Sequence, residues 1–252
     1  MKTLSDSRKE LLCWIIYIII ISLIVLLSSC EHKYIEELQE EEIITIDEID
    51  TVSVVQIGDQ IWMKYNLNVI KLNDGSDISL VTDNSLWSNS SPSCCYYNND
   101  EKYSKYGLLY NYYTVESNKI CPDGFKVPSD NDWKQLETYL GIDLSSLNKW
   151  LHRGTIEGGM LKEKSLNYWY EPNSHATDEY GFSALPGGMR YYNGQFEADN
   201  PSYKQVGVYW SSSLDNQTGL PIYRSLSPTL GSILRYRHSK NMGFSIRCIK
   251  NL

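Results

Sequence analysis

Hydrophobic and polar positions follow two different patterns along this chain, and the change falls near residue 52. Residues 11–27 are almost unbroken apolar sequence. The segment after them is the opposite. Glu31-His32-Lys33-Tyr34-Ile35-Glu36-Glu37-Leu38-Gln39-Glu40-Glu41-Glu42 is followed by more acids up to Asp50, a run that repels itself and stays extended. Short periodic stretches begin at Val54. Val54-Val55-Gln56-Ile57 and Gln60-Ile61-Trp62-Met63 flank Gly58-Asp59, which predicts a β-hairpin. Residues 67–100 are rich in Asn, Asp, Ser and Gly and predict loops, with Trp87 as a packing anchor. Residues 106–115 read as strand or short helix, and a short helix is favoured.

A stronger helix signal follows. Ser129 is a good N-cap, Asp132 stands in the capping-box position, and Asp130 suits the positive end of the helix dipole. Trp133, Leu136 and Leu140 fall on one stripe, and Gly141 ends the helix. Residues 147–151 predict a second, weaker helix. Gly181-Phe182-Ser183-Ala184-Leu185-Pro186-Gly187-Gly188-Met189-Arg190 predicts a strand that stops at the Pro-Gly-Gly break, and the rest of the domain is expected to pack on it. Asn193-Gly194, between Met189-Arg190-Tyr191-Tyr192 and Gln195-Phe196-Glu197, predicts a tight hairpin turn. Residues 206–212, 222–226 and 243–249 are three further strand candidates. No internal repeat is present. Short strands around one or two helices, with long loops, give an α+β fold with mixed, mainly antiparallel sheets.

The first thirty residues read as targeting sequence rather than fold. Lys2, Arg8 and Lys9 precede the apolar run, which ends in Leu27-Ser28-Ser29-Cys30. A large aliphatic residue, two small residues and a Cys resemble a bacterial lipobox. There the Cys30 thiol takes a diacylglycerol and the peptide is cut before it. An uncleaved anchor is the alternative, because the run is near the ~17–25 residues a membrane-spanning helix needs. The expected organisation is a signal peptide over 1–29, an acidic tether over 30–51 and a folded domain over 52–252. A lipid anchor with an added N-acyl chain holds far better than one chain, so the membrane is an expected partner.

Charge and aromatic content sharpen this picture. The chain has a formal net charge of −8. Such an acidic protein repels phosphate backbones, which argues against a nucleic-acid partner. Twenty Tyr and seven Trp stand against four Phe. Rings with a polar tip suit half-exposed sheets and recognition surfaces.

Several stretches, in order, resemble the Fibrobacter succinogenes major paralogous domain of Bacteroidota and Fibrobacterota surface proteins. They are Gln60-Ile61-Trp62-Met63, Cys95-Tyr96-Tyr97-Asn98-Asn99-Asp100, Tyr106-Gly107-Leu108-Leu109-Tyr110-Asn111, Cys121-Pro122-Asp123-Gly124-Phe125 with Val127-Pro128-Ser129 and Trp133, Gly181-Phe182 through Arg190, Tyr209-Trp210-Ser211-Ser212, and Gly243-Phe244-Ser245-Ile246-Arg247-Cys248. They cover residues 54–250. The resemblance implies a C-type lectin-like fold, distantly akin to formylglycine-generating enzymes, and implies no activity. Acidic residues after Cys30 resemble the surface-export signal of Bacteroidota lipoproteins, and Asp50-Thr51-Val52 resembles an O-glycosylation site of that phylum.

Beyond residue 30 four cysteines remain, which allow three pairings. An exported chain meets an oxidising compartment, and Cys121–Cys248 is the favoured bridge. The adjacent Cys94 and Cys95 stay open between a vicinal bridge, separate pairing and free thiols. No Cys-x-x-Cys is present and His152, His175 and His238 are scattered, so no metal site, cofactor or catalytic residue is expected. Ser211-Ser212-Ser213 lacks a nucleophile elbow. Glu171-Pro172-Asn173 matches a sugar-binding tripeptide of C-type lectins but reads as a turn. The sum is an outer-membrane lipoprotein, exposed at the cell surface, with a non-catalytic module for a glycan or a protein. Trp169, Tyr170 and Trp210 are its first candidate contacts. A structural envelope component and an enzyme of the formylglycine-generating type are the alternatives.

Overall fold

The computed structural model describes residues 44–46, 50–196 and 206–251. The chain divides into two units, Met1–Val52 and Ser53–Leu252. In the first, β1 (Ile44–Ile46) and β2 (Asp50–Val52) pair antiparallel, with Ile44 opposite Val52. Cys30 and the apolar run lie outside the described residues. Among the described residues, no helix is long and apolar enough to cross a membrane.

The second unit is α+β. The predicted hairpin forms as β3 (Val54–Ile57) and β4 (Gln60–Met63). It belongs to a four-stranded sheet completed by β13 (Ile249–Lys250) and β8 (Phe125–Lys126). A second sheet runs in the order β10 (Gly207–Leu214), β11 (Pro221–Leu226), β12 (Ile233–Arg237), β9 (Leu151–Arg153), antiparallel throughout. A third is small: β5 (Ser79–Leu80) lies parallel to β6 (Ser93–Cys95), which pairs antiparallel with β7 (Leu109–Tyr110). The helices are α1 (Tyr112–Glu116), α2 (Asp130–Tyr139) and α3 (Glu157–Leu161).

Helix α2 starts where its capping chemistry places it. Ser129 and Asp132 form a reciprocal capping box. Its stripe of Trp133, Leu136 and Leu140 joins Ile57, Trp62, Phe182, Tyr209 and Ile249 in the main core. Trp87 anchors a second cluster, as expected, with its Nε1 donating to the Asn241 carbonyl at 2.6 Å. The Cys121–Cys248 bridge is formed, with Cα atoms 5.9 Å apart.

Three expectations about local structure are corrected. Residues 106–115 are not one helix: Gly107 takes φ +80°, β7 follows, and Asn111 caps α1. Residues 147–151 do not form a helix, because Leu151 enters β9, where β12 supplies a partner strand. Pairing with a distant strand overrides so weak a helical period. The stretch 181–190 is not a regular strand. Gly181, Ser183 and Gly188 all have positive φ, so Ala184, Gly188 and Arg190 make only isolated bridges. Gly188 is obligatory on a second count, since a Cβ there would lie 2.5 Å from the Tyr97 ring. The Asn193-Gly194 turn does close, with Tyr191 N donating to the Gln195 carbonyl at 2.8 Å, but Arg190 and Phe196 form its only bridge among the described residues.

The segment that knits the domain is the last one. Gly243 bridges Arg190, Phe244 bridges Tyr110 and Ser245 bridges Tyr209. The carbonyls of Ile246 and Cys248 accept from Leu67 and Met63. Ile249 then pairs with both Trp62 and Lys126. Each residue serves a different neighbour, so this extended run counts as a strand only at its end.

Candidate functional site

Helix α2 carries Asp130, Lys134 and Glu137 at spacings of four and three, which puts them along one side of the helix. That side meets the sheet β10-β11-β12-β9. In that sheet Arg224 and Arg235 are direct cross-strand partners, and Arg153 stands on the edge strand. Arg235 Nε and Nη2 donate to the two oxygens of Asp130, each at 2.8 Å. Lys134 Nζ and Arg224 Nη1 reach the same carboxylate at 2.8 and 2.9 Å. Glu137 is fully buried and accepts from Arg224 Nε at 2.6 Å and from Arg153 Nη2. Arg224 therefore joins the two acids.

Asp130, Lys134 and Arg235 of this cluster line an open cleft of about 490 Å³. Its walls include Asn131, Lys134, Trp150, Asp215, Asn216 and Gln217. The ring of Trp150 lies under the guanidinium carbons of Arg235 at 3.9 Å and Arg237 at 4.4 Å. Arg237 Nε pairs with Asp215 at 3.3 Å. Burial opposes ionisation of Asp130, but Arg235, Arg224 and Lys134 overcome it and hold its carboxyl well below the usual range. Burial, and then the neighbouring Arg224, push Arg153 down to about 10 in spite of Glu137. A larger recess of about 550 Å³, beside the β3–β4 turn, has Asp59 as its one charged wall residue.

The residues expected to touch a ligand do not come together. Trp169 and Trp210 are buried, with indole N–H groups donating to the carbonyls of Ala184 at 2.9 Å and Tyr110 at 2.7 Å. A ring enclosed this way cannot stack on a ligand, so both are corrected to core residues. With few Phe in the chain, Trp fills the core wherever a carbonyl can satisfy its N–H. Tyr170 is half exposed. It neighbours a half-buried ridge in which Tyr106 meets Tyr103 and Tyr168 at 6.2 Å each, with Lys105 over the Tyr106 and Tyr168 rings. The sequence reading passed over Trp150. Its only signal was an indole among polar residues, Asn148 and Lys149, in a segment read as helix.

The remaining candidates have structural surroundings. Cys94 and Cys95 are free and fully buried, and burial pushes both thiols up to about 12. Successive strand residues point to opposite faces, which separates the two sulfurs. Ser213 Oγ accepts from the Asp130 N–H at 2.9 Å, at the start of α2. Glu171-Pro172-Asn173 is a turn, and Asn173 donates to the Glu163 carbonyl at 3.0 Å. His152 lies beside Ser232 Oγ at 3.1 Å, and His238 Nδ1 accepts from the Ser239 N–H at 2.8 Å. Among the described residues, no group of three His, Cys, Asp or Glu is placed to hold a metal.

Residues 55–250 match the family described as the Fibrobacter succinogenes major domain. No curated protein and no solved structure matches the chain.

Proposed function

This chain belongs to the Fibrobacter succinogenes major domain family, and from that premise we propose that it is a surface-exposed outer-membrane lipoprotein whose folded domain is a non-catalytic binding module of C-type lectin-like type. The observation that carries the binding reading is the cleft beside α2. It is open, about 490 Å³ in volume, and walled by side-chain amides, charged groups and one Trp. That mixture suits a ligand rich in hydroxyls, so a glycan is its best occupant. The lipoprotein reading rests on Leu27-Ser28-Ser29-Cys30 and the acidic run behind it.

Two experiments test the proposal. Glycan arrays probed with the mature chain should give binding that falls at least tenfold in Gln217→Ala combined with Asn131→Ala, as loss of two hydrogen-bonding amides predicts. Arrays that stay blank with folded protein would remove the glycan reading. Protease shaving of intact cells should remove the wild-type protein, and Cys30→Ala should release it from the membrane. Protection of the wild type would place it in the periplasm. The half-buried Tyr103–Tyr106–Tyr168 ridge, with exposed Tyr170 beside it, favours a second reading, an envelope component that packs against its neighbours. Self-association abolished by Tyr168→Ser would support it.

A further inference from the structure

The charges around the cleft do not balance. Five cationic side chains, Lys134, Arg153, Arg224, Arg235 and Arg237, share three carboxylates, Asp130, Glu137 and Asp215. This local excess of positive charge sits in a chain whose net charge is −8. Most of the cluster is buried. Arg153 and Arg224 are almost wholly inaccessible, and an uncompensated buried charge is costly. An anion entering the cleft would supply the missing counter-charge. The two cations that keep some exposure are Lys134 and Arg237, with side chains 21% and 23% accessible. Each is already steadied by one carboxylate. An ammonium has three donors and a guanidinium five, so both keep donors for a ligand.

We propose that the ligand of this cleft is an acidic glycan, one whose sugars carry a carboxylate, sulfate or phosphate, with Lys134 on the cleft wall and Arg237, which flanks the wall residues Trp150 and Asp215, receiving the anionic group. The inference rests on the reading of the cleft as a binding site and adds the chemical class of its ligand. Neighbouring groups favour a sugar acid over a bare anion. Asn131, Asn216 and Gln217 are exposed amides on the same walls, suited to hydroxyl groups. Asp130 and Asp215 are each engaged by cations, which limits their repulsion of an incoming anion. The acidic remainder of the chain repels anions at long range, so the attraction is local and sensitive to salt.

The test is titration calorimetry on the mature chain in detergent with five probes. They are a galacturonic acid trimer, the methyl ester of the same trimer, a sulfated disaccharide, inorganic phosphate and a glutamate trimer. At least one acidic sugar should bind about tenfold or more tighter than the methyl ester, the difference a charge-assisted hydrogen bond makes. Which acidic sugar binds identifies the anion. Binding should weaken as salt rises toward about 0.5 M. Lys134→Gln and Arg237→Gln should each weaken the acidic sugar about tenfold and leave the ester unchanged, while Lys71→Gln, outside the cleft, should change neither. If Arg237→Gln fails to fold, Lys134→Gln decides alone. Equal binding of the ester, or of neutral array glycans without any acidic sugar, overturns the proposal and leaves the binding module standing. Phosphate or the glutamate trimer binding as tightly as the sugar acids also overturns it. A blank result for every probe and for the array removes both.

Discussion

Two sets of buried cations are held in opposite ways. Beneath the cleft, Arg153, Arg224 and Arg235 are bound by the carboxylates of Asp130 and Glu137. Around the irregular stretch 181–196, Arg190, Arg247 and Lys162 are equally buried and are bound by neutral groups. Arg190 donates to the carbonyls of Gly194 at 2.8 Å and Val81 at 2.6 Å and to Asn84 Oδ1 at 3.0 Å, with its guanidinium over Trp87. Arg247 donates twice to Asn66 Oδ1 and once to the Phe182 carbonyl, over the Phe182 ring. Lys162 Nζ reaches the carbonyls of Ser174, Ser227 and Leu230 at 2.8, 2.9 and 3.2 Å. The second set stitches loops together. Its donors end on backbone carbonyls and on the side-chain oxygens of Asn66 and Asn84, so these buried polar groups are satisfied without a carboxylate. The first set keeps an excess of charge next to an open cleft. One region fastens its cations on neutral groups, and the other holds them on buried carboxylates beneath a cleft.

Mutation of the central member of each set breaks the comparison most directly. Glu137→Gln leaves Arg153 and Arg224 facing each other with half their counter-charge gone. It should cost about 3–5 kcal/mol in urea unfolding, the penalty for stranding a buried charge. Arg247→Met removes a cation whose partners are neutral. The cost should be smaller, about 3 kcal/mol, from the unpaired Asn66 amide and Phe182 carbonyl. If Arg247→Met proves the costlier of the two, the cations held by neutral groups are the main support of the fold, and the order expected from the two kinds of partner is reversed.

The smallest effect is in pH. The Asp130 carboxyl is lowered in the folded state, so the stability it contributes is complete above the unfolded carboxylate value near 4 and is lost as pH falls below that. Acidification from about pH 5 to pH 2 should therefore loosen the α2–β11–β12 contact, by about 1 kcal/mol once solvent screening is allowed for. Asp130→Asn should flatten that part of the profile. Amide exchange around Arg190 and Arg247 should hardly respond, since no carboxylate is bonded to either guanidinium. Equal acid sensitivity in the two regions would mean that the carbonyl-held cations depend on the ionic cluster.

How much of this was legible in the sequence differs from element to element. Helix α2 was readable to its first residue, because a capping box is a local interaction over four positions. The β3–β4 hairpin was readable from its turn. The stretch 181–190 was misjudged as a strand because its alternation is real while its positive φ values are set by packing, as at Gly188 against the Tyr97 ring. Strand β12 was missed, its charged residues hiding a run in which Arg235 is buried against Asp130, a partner far away in the chain. Trp169 and Trp210 were taken for surface rings because composition counts aromatic residues without locating them.

The sequence by itself determined what local chemistry controls: the α+β class, the capped helix, the tight turns and the family to which the domain belongs. Only the tertiary structure decided which aromatic rings are buried and which cations meet. Asp130 and Arg235 are 105 positions apart, and Asn66 and Arg247 are 181. The free energy of a buried charge depends on the partners the fold brings to it, and those partners come from distant parts of the chain.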